Sequence, residues 1–204
     1  MNFQTELETL IRARYPILYI ITSEEMRVQN LILEVARKRQ KKIFEWSCST
    51  GIVPAGSSIQ SQKNRNAATR DPLLALDHVI DHVEPALFIF KDFHPFLSRT
   101  NFAIIRKLKE IALHLKNSFK TIILVSPVLE IPTELEKEIT VLNYPLPARD
   151  DLNELLDRIV ADVRQFKQVD INLDEAGRER LLQAALGLTL GEAENVFAKI
   201  IVKG

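Results

Sequence analysis

Two uninterrupted apolar runs, Ala86–Phe90 (ALFIF) and Thr121–Val125 (TIILV), constrain this chain more than any other feature. A strand with one face in water alternates polar and apolar residues, whereas a run without alternation needs cover on both faces. Between the two runs Ile104, Ile105, Leu108, Ile111, Ala112 and Leu115 recur at helical spacing. Strand, helix, strand in this form is a parallel crossover, the unit of a sheet with helices on both sides.

The flanking sequence repeats the pattern. Phe3, Leu7, Leu10 and Ile11 predict a short helix, Ile17–Ile21 a buried strand, and Val28, Leu31, Ile32 and Val35 an amphipathic helix. Ile43–Trp46 predicts a second strand. Asp71-Pro72 marks a helix start, an N-cap followed by proline at the first helical position, with Leu73, Leu76, Ile80 and Val83 as its buried face. Ile131–Leu135 reads as a turn into a short helix, and Ile139–Leu142 as a fifth strand. The stretch Ser47–Arg70, rich in Ser, Asn, Gln and Gly, reads as a long polar loop, functional or disordered. After Pro145-Leu146-Pro147 three helical patterns follow and no strand. They are Leu152, Leu155, Leu156, Ile159 and Val163; then Leu181, Leu182 and Ala185; then Ala193, Val196, Phe197, Ile200 and Ile201. The expected fold is α/β, a five-stranded parallel sheet with helices on both faces over residues 1–147. A small all-α unit over 148–204 follows it.

At 204 residues and 46% hydrophobic composition the chain buries a sizeable core. Its apolar runs are too short to span a membrane as a helix. One cysteine, Cys48, excludes an internal disulfide framework and suits a reducing compartment. The net charge of zero hides an asymmetry. Residues 1–120 carry 18 Lys+Arg against 12 Asp+Glu, or +6, and residues 121–204 carry 9 against 15, or −6. A nucleic-acid-binding domain usually shows a basic excess overall, so a nucleic-acid partner is not favoured.

The chemistry-bearing candidates sit where strands end. Tyr15–Val35 is a strand, a turn and a helix, the setting in which nucleotide-binding folds place a phosphate loop. That loop uses glycines to bring backbone N–H groups to phosphate and a lysine to reach the β/γ oxygens. Here the turn is Thr22-Ser23-Glu24-Glu25, without glycine or lysine and with two carboxylates. Lys91-Asp92-Phe93-His94 follows ALFIF, and an acid at the end of such a strand is the layout that holds Mg²⁺ in ATPases. The residue after that acid commonly polarises water; Phe93 cannot. Ser126 ends TIILV where a polar side chain meets the γ-phosphate, and Ser before Pro is also ordinary turn chemistry. His78-Val79-Ile80-Asp81-His82 spaces two histidines as metal ligands, but helical geometry puts them opposite the apolar face, with no third ligand in view. Cys48 has no nearby histidine in sequence and no Gly-x-Ser-x-Gly elbow is present, so nucleophilic hydrolysis has no support.

This order of parts resembles an AAA+ ATPase module of the P-loop NTPase type. Gly187-Leu-Thr-Leu-Gly191-Glu-Ala-Glu-Asn195 is similar to a segment that opens the last helix of the AAA lid. More closely, LIRARYPILYIIT, FIFKDFHPFL, SPVLEIPTELEKEI and PLPARDDL resemble the N-terminal half of an AAA-type ATPase found as an open reading frame in algal plastids and in cyanobacteria. That resemblance implies a longer parent protein whose second AAA+ module carries the intact phosphate loop, with ATP and Mg²⁺ as the parent's cofactors and none for this chain. It implies a cyanobacterial cytoplasmic or plastid stromal location and a link to photosynthetic physiology. The departures from the AAA+ pattern are the missing phosphate loop, Phe93, the lack of an arginine finger before the fifth strand, and Glu192 and Glu194 near a usual sensing arginine. The Ser47–Arg70 loop also lacks any aromatic pore residue. Thr22, Ser23, Asp92 and Ser126 would then mark a vestigial nucleotide site. The expected role is a non-catalytic module that scaffolds, regulates or recruits partners for the ATPase module, its partners being that second module, a protein, or further copies of itself. The alternatives are an ATPase with a divergent phosphate site, or a clamp-loader-like nucleic-acid-binding subunit using the +6 half with Lys63, Arg65 and Arg70.

Overall fold

A computed structural model describes residues 2–57, 67–167 and 174–203. Its contacts divide the chain into two units, Met1–Tyr144 and Pro145–Gly204. In the first, the elements run α1 (Phe3–Arg12), β1 (Ile17–Ile21), α2 (Glu25–Lys38), β2 (Lys42–Ser47), β3 (Gly51–Pro54), α3 (Pro72–Asp81), β4 (Ala86–Lys91), α4 (Phe102–Leu115), β5 (Lys120–Ser126) and β6 (Ile139–Asn143). The strands form one sheet in the order β3-β2-β4-β5-β1-β6. Every pairing is parallel except β2 with β3, and β1 lies between β5 and β6 with Ile17 opposite both Ile122 and Ile139.

The unbroken apolar strands are covered on both faces. Ile17, Tyr19, Phe88, Phe90, Ile122 and Leu124 point toward α3 and α4, where they meet Leu76, Val79, Leu108 and Ile111. Their alternates Leu18, Ile20, Leu87, Ile89, Ile123 and Val125 point toward α1 and α2, against Leu7, Ile11, Val28 and Ile32. The period-2 geometry of a strand sorts adjacent residues onto opposite faces, so a run without polar interruption fills two cores at once.

Four expectations need correction. The sheet has six strands, because β3 lies inside the stretch expected to be a polar loop. Gly51, at φ +74°, makes the tight reversal after β2, and Ile52 and Val53 bury their side chains. Thr69 closes this corner: its Oγ1 accepts from the Ile52 N–H at 2.8 Å and its carbonyl accepts from Trp46 Nε1 at 2.6 Å. The rest of that stretch, residues 58–66 with Lys63 and Arg65, lies outside the described residues.

The buried face of α3 is Ala75, Leu76 and Val79, with Leu73 and Ile80 at its margin. The helix ends at Asp81, and Val83 beyond it is 93% exposed. His82 is not on a solvated helix face. Its extended backbone turns the ring back over the sheet, edge-on to Phe44 at 5.1 Å and Phe88 at 5.5 Å. Its Nε2 is buried without a hydrogen-bond partner, and burial pushes its pKa down. Lys120, at the start of β5, caps the same helix end from inside. Its Nζ donates to the carbonyls of Val79, Ile80 and His82 at 2.7–2.9 Å, satisfying carbonyls that have no partner in the helix.

The second unit contains α5 (Arg149–Lys167), α6 (Glu175–Ala185) and α7 (Leu190–Lys203). Leu152, Leu155, Leu156, Leu182, Ala185, Ala193 and Phe197 form its core. Val196 and Ile200, counted above in the apolar pattern, are 38% and 44% exposed, which corrects the predicted face of α7. Gly187, at φ +93°, ends α6, and Thr189 with Glu192 form a capping box that starts α7.

Candidate functional site

The C-terminal ends of β1, β4 and β5 converge on one edge of the sheet, where ligands bind in open α/β folds. A cleft of about 330 Å³ there is lined by Thr22, Ser23, Glu25, Asp92, Val125, Ser126 and Pro127. The four residues singled out from sequence, Thr22, Ser23, Asp92 and Ser126, therefore come together. A second cleft of about 260 Å³ shares Glu25 and Asp92 and adds Glu45, Trp46, Ser47, Ser49, Thr50 and Lys91.

The turn after β1 closes on itself. Thr22 Oγ1 accepts from the Glu24 N–H at 2.9 Å, an ST-turn in place of a wrapped phosphate loop. Glu24 pairs with Arg27 at 2.6 Å, and the Arg27 guanidinium lies 4.7 Å from the centre of the Tyr144 ring. Glu25 opens α2, placing a carboxylate at the positive end of a 14-residue helix.

That carboxylate meets a lysine from across the sheet. Lys91 Nζ lies 2.9 Å from Glu25 Oε1 and 3.0 Å from Glu45 Oε2, and Gln29 Nε2 donates to the same Glu45 oxygen at 2.7 Å. Glu45 is buried and the Lys91 side chain is 17% exposed. Burial alone would pull the Lys91 pKa down; hydrogen bonds to Glu25 and Glu45, with their charges, outweigh it and hold it above the ordinary lysine value. Sequence reasoning missed Gln29, Glu45 and Lys91 as a group. Only the parallel register of β2 and β4, which sets Glu45 opposite Ile89, brings them to one corner.

Asp92 is exposed, and its backbone sits at φ +48° while its N–H donates to the Val125 carbonyl at 3.0 Å. Phe93, where ATPases place the water-polarising acid, points the other way. It is 1% exposed and packs against Trp46, Phe90 and Phe96 at centroid distances of 5.3–5.5 Å. Ser126 is buried, with its Oγ 2.7 Å from His94 Nδ1, a partner 32 residues away that no local pattern indicates. Beside it Tyr19 donates its hydroxyl to the Val128 carbonyl at 2.7 Å, and burial raises its pKa. Among the described residues no three His, Cys, Asp or Glu side chains gather as a metal site, and no helix is long and apolar enough to cross a membrane.

The clefts thus carry three carboxylates, Glu25, Glu45 and Asp92, against one lysine that two of them already occupy. A polyphosphate entering there would meet net negative charge and a turn whose Cβ atoms stand between it and the backbone N–H groups.

Comparison with known proteins agrees with this architecture. Solved structures similar in fold include a FIGL-1 AAA domain in complex with ADP (TM-score 0.63, 11% identity, 98% of this chain and 65% of that one). Another is PCH-2 of C. elegans (TM-score 0.56, 12% identity, 98% and 66%). Among curated sequences, the AAA domain-containing protein ycf46 of Trieres chinensis is 36% identical and that of Guillardia theta 32%, each over 98% of this chain. The chain spans 38% of the length of each. The SpoVK-like AAA ATPase N-terminal domain matches residues 3–144 and the second domain of the same family matches residues 150–204. On those two matches, which together cover nearly all of it, the chain belongs to the SpoVK-like AAA ATPases.

Proposed function

We propose that these residues form a non-catalytic AAA module that scaffolds, regulates or recruits partners for an ATP-hydrolysing AAA module of a longer parent protein. The observation that carries this reading is the Glu25–Lys91–Glu45 cluster. At the helix N-terminus where a phosphate would rest, the chain supplies its own carboxylate, and the one lysine near it is neutralised from within. ATP and Mg²⁺ belong, on this reading, to the parent's other module, which is also the first partner; copies of the chain and a further protein are the others. Relatives from algae favour a plastid stromal or cyanobacterial cytoplasmic setting and a role in photosynthetic physiology.

A second reading, an ATP site of divergent design, draws on the convergence of Thr22, Ser23, Asp92 and Ser126 on one cleft. Calorimetric titration of the 204-residue chain with ATP and Mg²⁺ separates the two. The non-catalytic reading expects no saturable heat at millimolar nucleotide. Saturable binding, with hydrolysis abolished by Asp92→Ala, overturns it in favour of the second.

A further inference from the structure

We propose that the opposite edge of the sheet, where β1 and β6 begin, is a docking surface for an acidic segment of a partner protein. A cleft of about 240 Å³ opens there, lined by Arg14, Tyr15, Pro16, Lys116, Lys137, Glu138 and Thr140 among others. It is separate from the nucleotide-like clefts, which lie at the far ends of the same strands.

The cleft holds three cations and one carboxylate, and the carboxylate is committed: Glu138 accepts from Lys116 Nζ at 3.0 Å. Arg14 and Lys137 have no carboxylate partner among the described residues. Arg14 is held out at this edge by a left-handed backbone, φ +60°, with its guanidinium 4.4 Å from the centre of the exposed Phe119 ring. Lys41 joins it, donating Nζ to the Phe119 carbonyl. Burial first, and then the nearby Arg14 charge, lower the Lys41 pKa. Like charges are gathered here at a cost in repulsion and, at Arg14, in backbone strain, and of these four cations only Lys116 has a carboxylate partner among the described residues. An incoming carboxylate group would relieve the repulsion.

A protein segment fits better than a nucleic acid. The chain as a whole lacks the basic excess that nucleic-acid-binding domains usually show. The cationic surface is also one compact cleft bordered by half-exposed Tyr15 and Phe119. Arginine beside exposed aromatics is the composition of protein–protein anchor sites.

The test is fluorescence anisotropy of a fluorescein-labelled oligoglutamate peptide titrated with the 204-residue chain. Expected is saturable binding that weakens as salt rises. Lys137→Glu should weaken it about tenfold, since it exchanges one exposed attraction for a repulsion. Arg14→Gly should weaken it as well while Tm holds or rises, because glycine adopts a positive φ without strain. That combination separates docking from folding. The proposal is overturned by absence of saturable binding to the wild type, or by binding that both variants leave intact. It is equally overturned if oligothymidylate or phosphatidylserine vesicles bind more tightly than the peptide.

Discussion

The interior of the sheet and its C-terminal rim obey different constraints. In the interior, β5 is buried from Lys120 to Ser126 and β4 from Ala86 to Phe90, and every apolar side chain of those two spans belongs to one of the two cores that the sheet shares with the helices. In the rim, a few ångströms further along the same strands, Thr22 closes its own turn on the Glu24 N–H, Glu24 pairs with Arg27, and Lys91 pairs with Glu25 and Glu45. The interior is specified by packing, which needs no ligand. The rim of an ATPase is specified by the phosphates and metal it must hold. On the proposed non-catalytic reading a chain keeps the framework of an AAA module while its rim turns inward, and here the rim carries the ion pairs of Lys91 with Glu25 and Glu45.

If that division holds, substitutions in the interior should have the largest effect. Phe88→Ala removes a ring that stacks on Phe44 at 5.2 Å and packs against His82 at 5.5 Å in the central strand. Truncation of such a side chain costs about 3–5 kcal/mol, read as a shift in the urea midpoint at constant slope. A cost under about 1 kcal/mol would mean that the sheet interior collapses around the gap, and the comparison would fail.

The rim comes next. Lys91→Met removes the cation that the buried Glu45 carboxylate pairs with, while Gln29 Nε2 still donates to it, and should cost about 1–3 kcal/mol. The double variant Glu45→Gln/Lys91→Met should recover much of that loss, because the buried carboxylate is gone and the remaining Glu25 side chain is 41% exposed to water. The pH dependence has a definite sign. The folded-state pKa of Lys91 is raised, so its contribution is complete below the ordinary lysine value and fades as pH climbs through the raised one. Wild type and Lys91→Met should therefore converge in stability in strongly alkaline buffer. Equal stability of the two at neutral pH would show that the cluster contributes nothing.

How much of this was legible follows from the same division. ALFIF and TIILV announce a two-faced sheet because nothing but burial on both sides accommodates them. Asp71-Pro72 marks its helix because the cap is local, with Asp71 Oδ1 accepting from the N–H groups of Leu73 and Leu74. β3 escaped because Ile52 and Val53 are two apolar residues in a polar stretch, and their cover, Thr69, comes from 17 residues away. Lys120 as a helix cap and His82 beneath Phe44 escaped for a similar reason, since each depends on a partner about 40 residues distant in sequence. At the rim, Thr22, Ser23, Asp92 and Ser126 could be placed together because each ends a predicted strand or opens its turn. The ion pairs that fill the site could not, because Glu25, Glu45 and Lys91 meet only through sheet register.

The smallest expected effect is the sharpest test of the rim. Asp92 occupies a left-handed conformation at φ +48°, and its backbone N–H, not its side chain, holds the chain end to β5 through the Val125 carbonyl. Glycine enters that region of φ/ψ space without a Cβ clash and keeps the N–H donor. If the carboxylate does no work in a site, Asp92→Gly should leave stability unchanged or raise it by about 0.5–1 kcal/mol, the offsetting term being glycine's greater freedom in the unfolded chain. A working metal-holding acid behaves differently: its removal would abolish a Mg²⁺-dependent rise in the Tm of the wild type. Thermal scans of wild type and variant, with and without Mg²⁺ and ATP, distinguish the two. Identical ligand-independent curves mean that the left-handed turn is strain inherited from the framework, with no ligand to repay it.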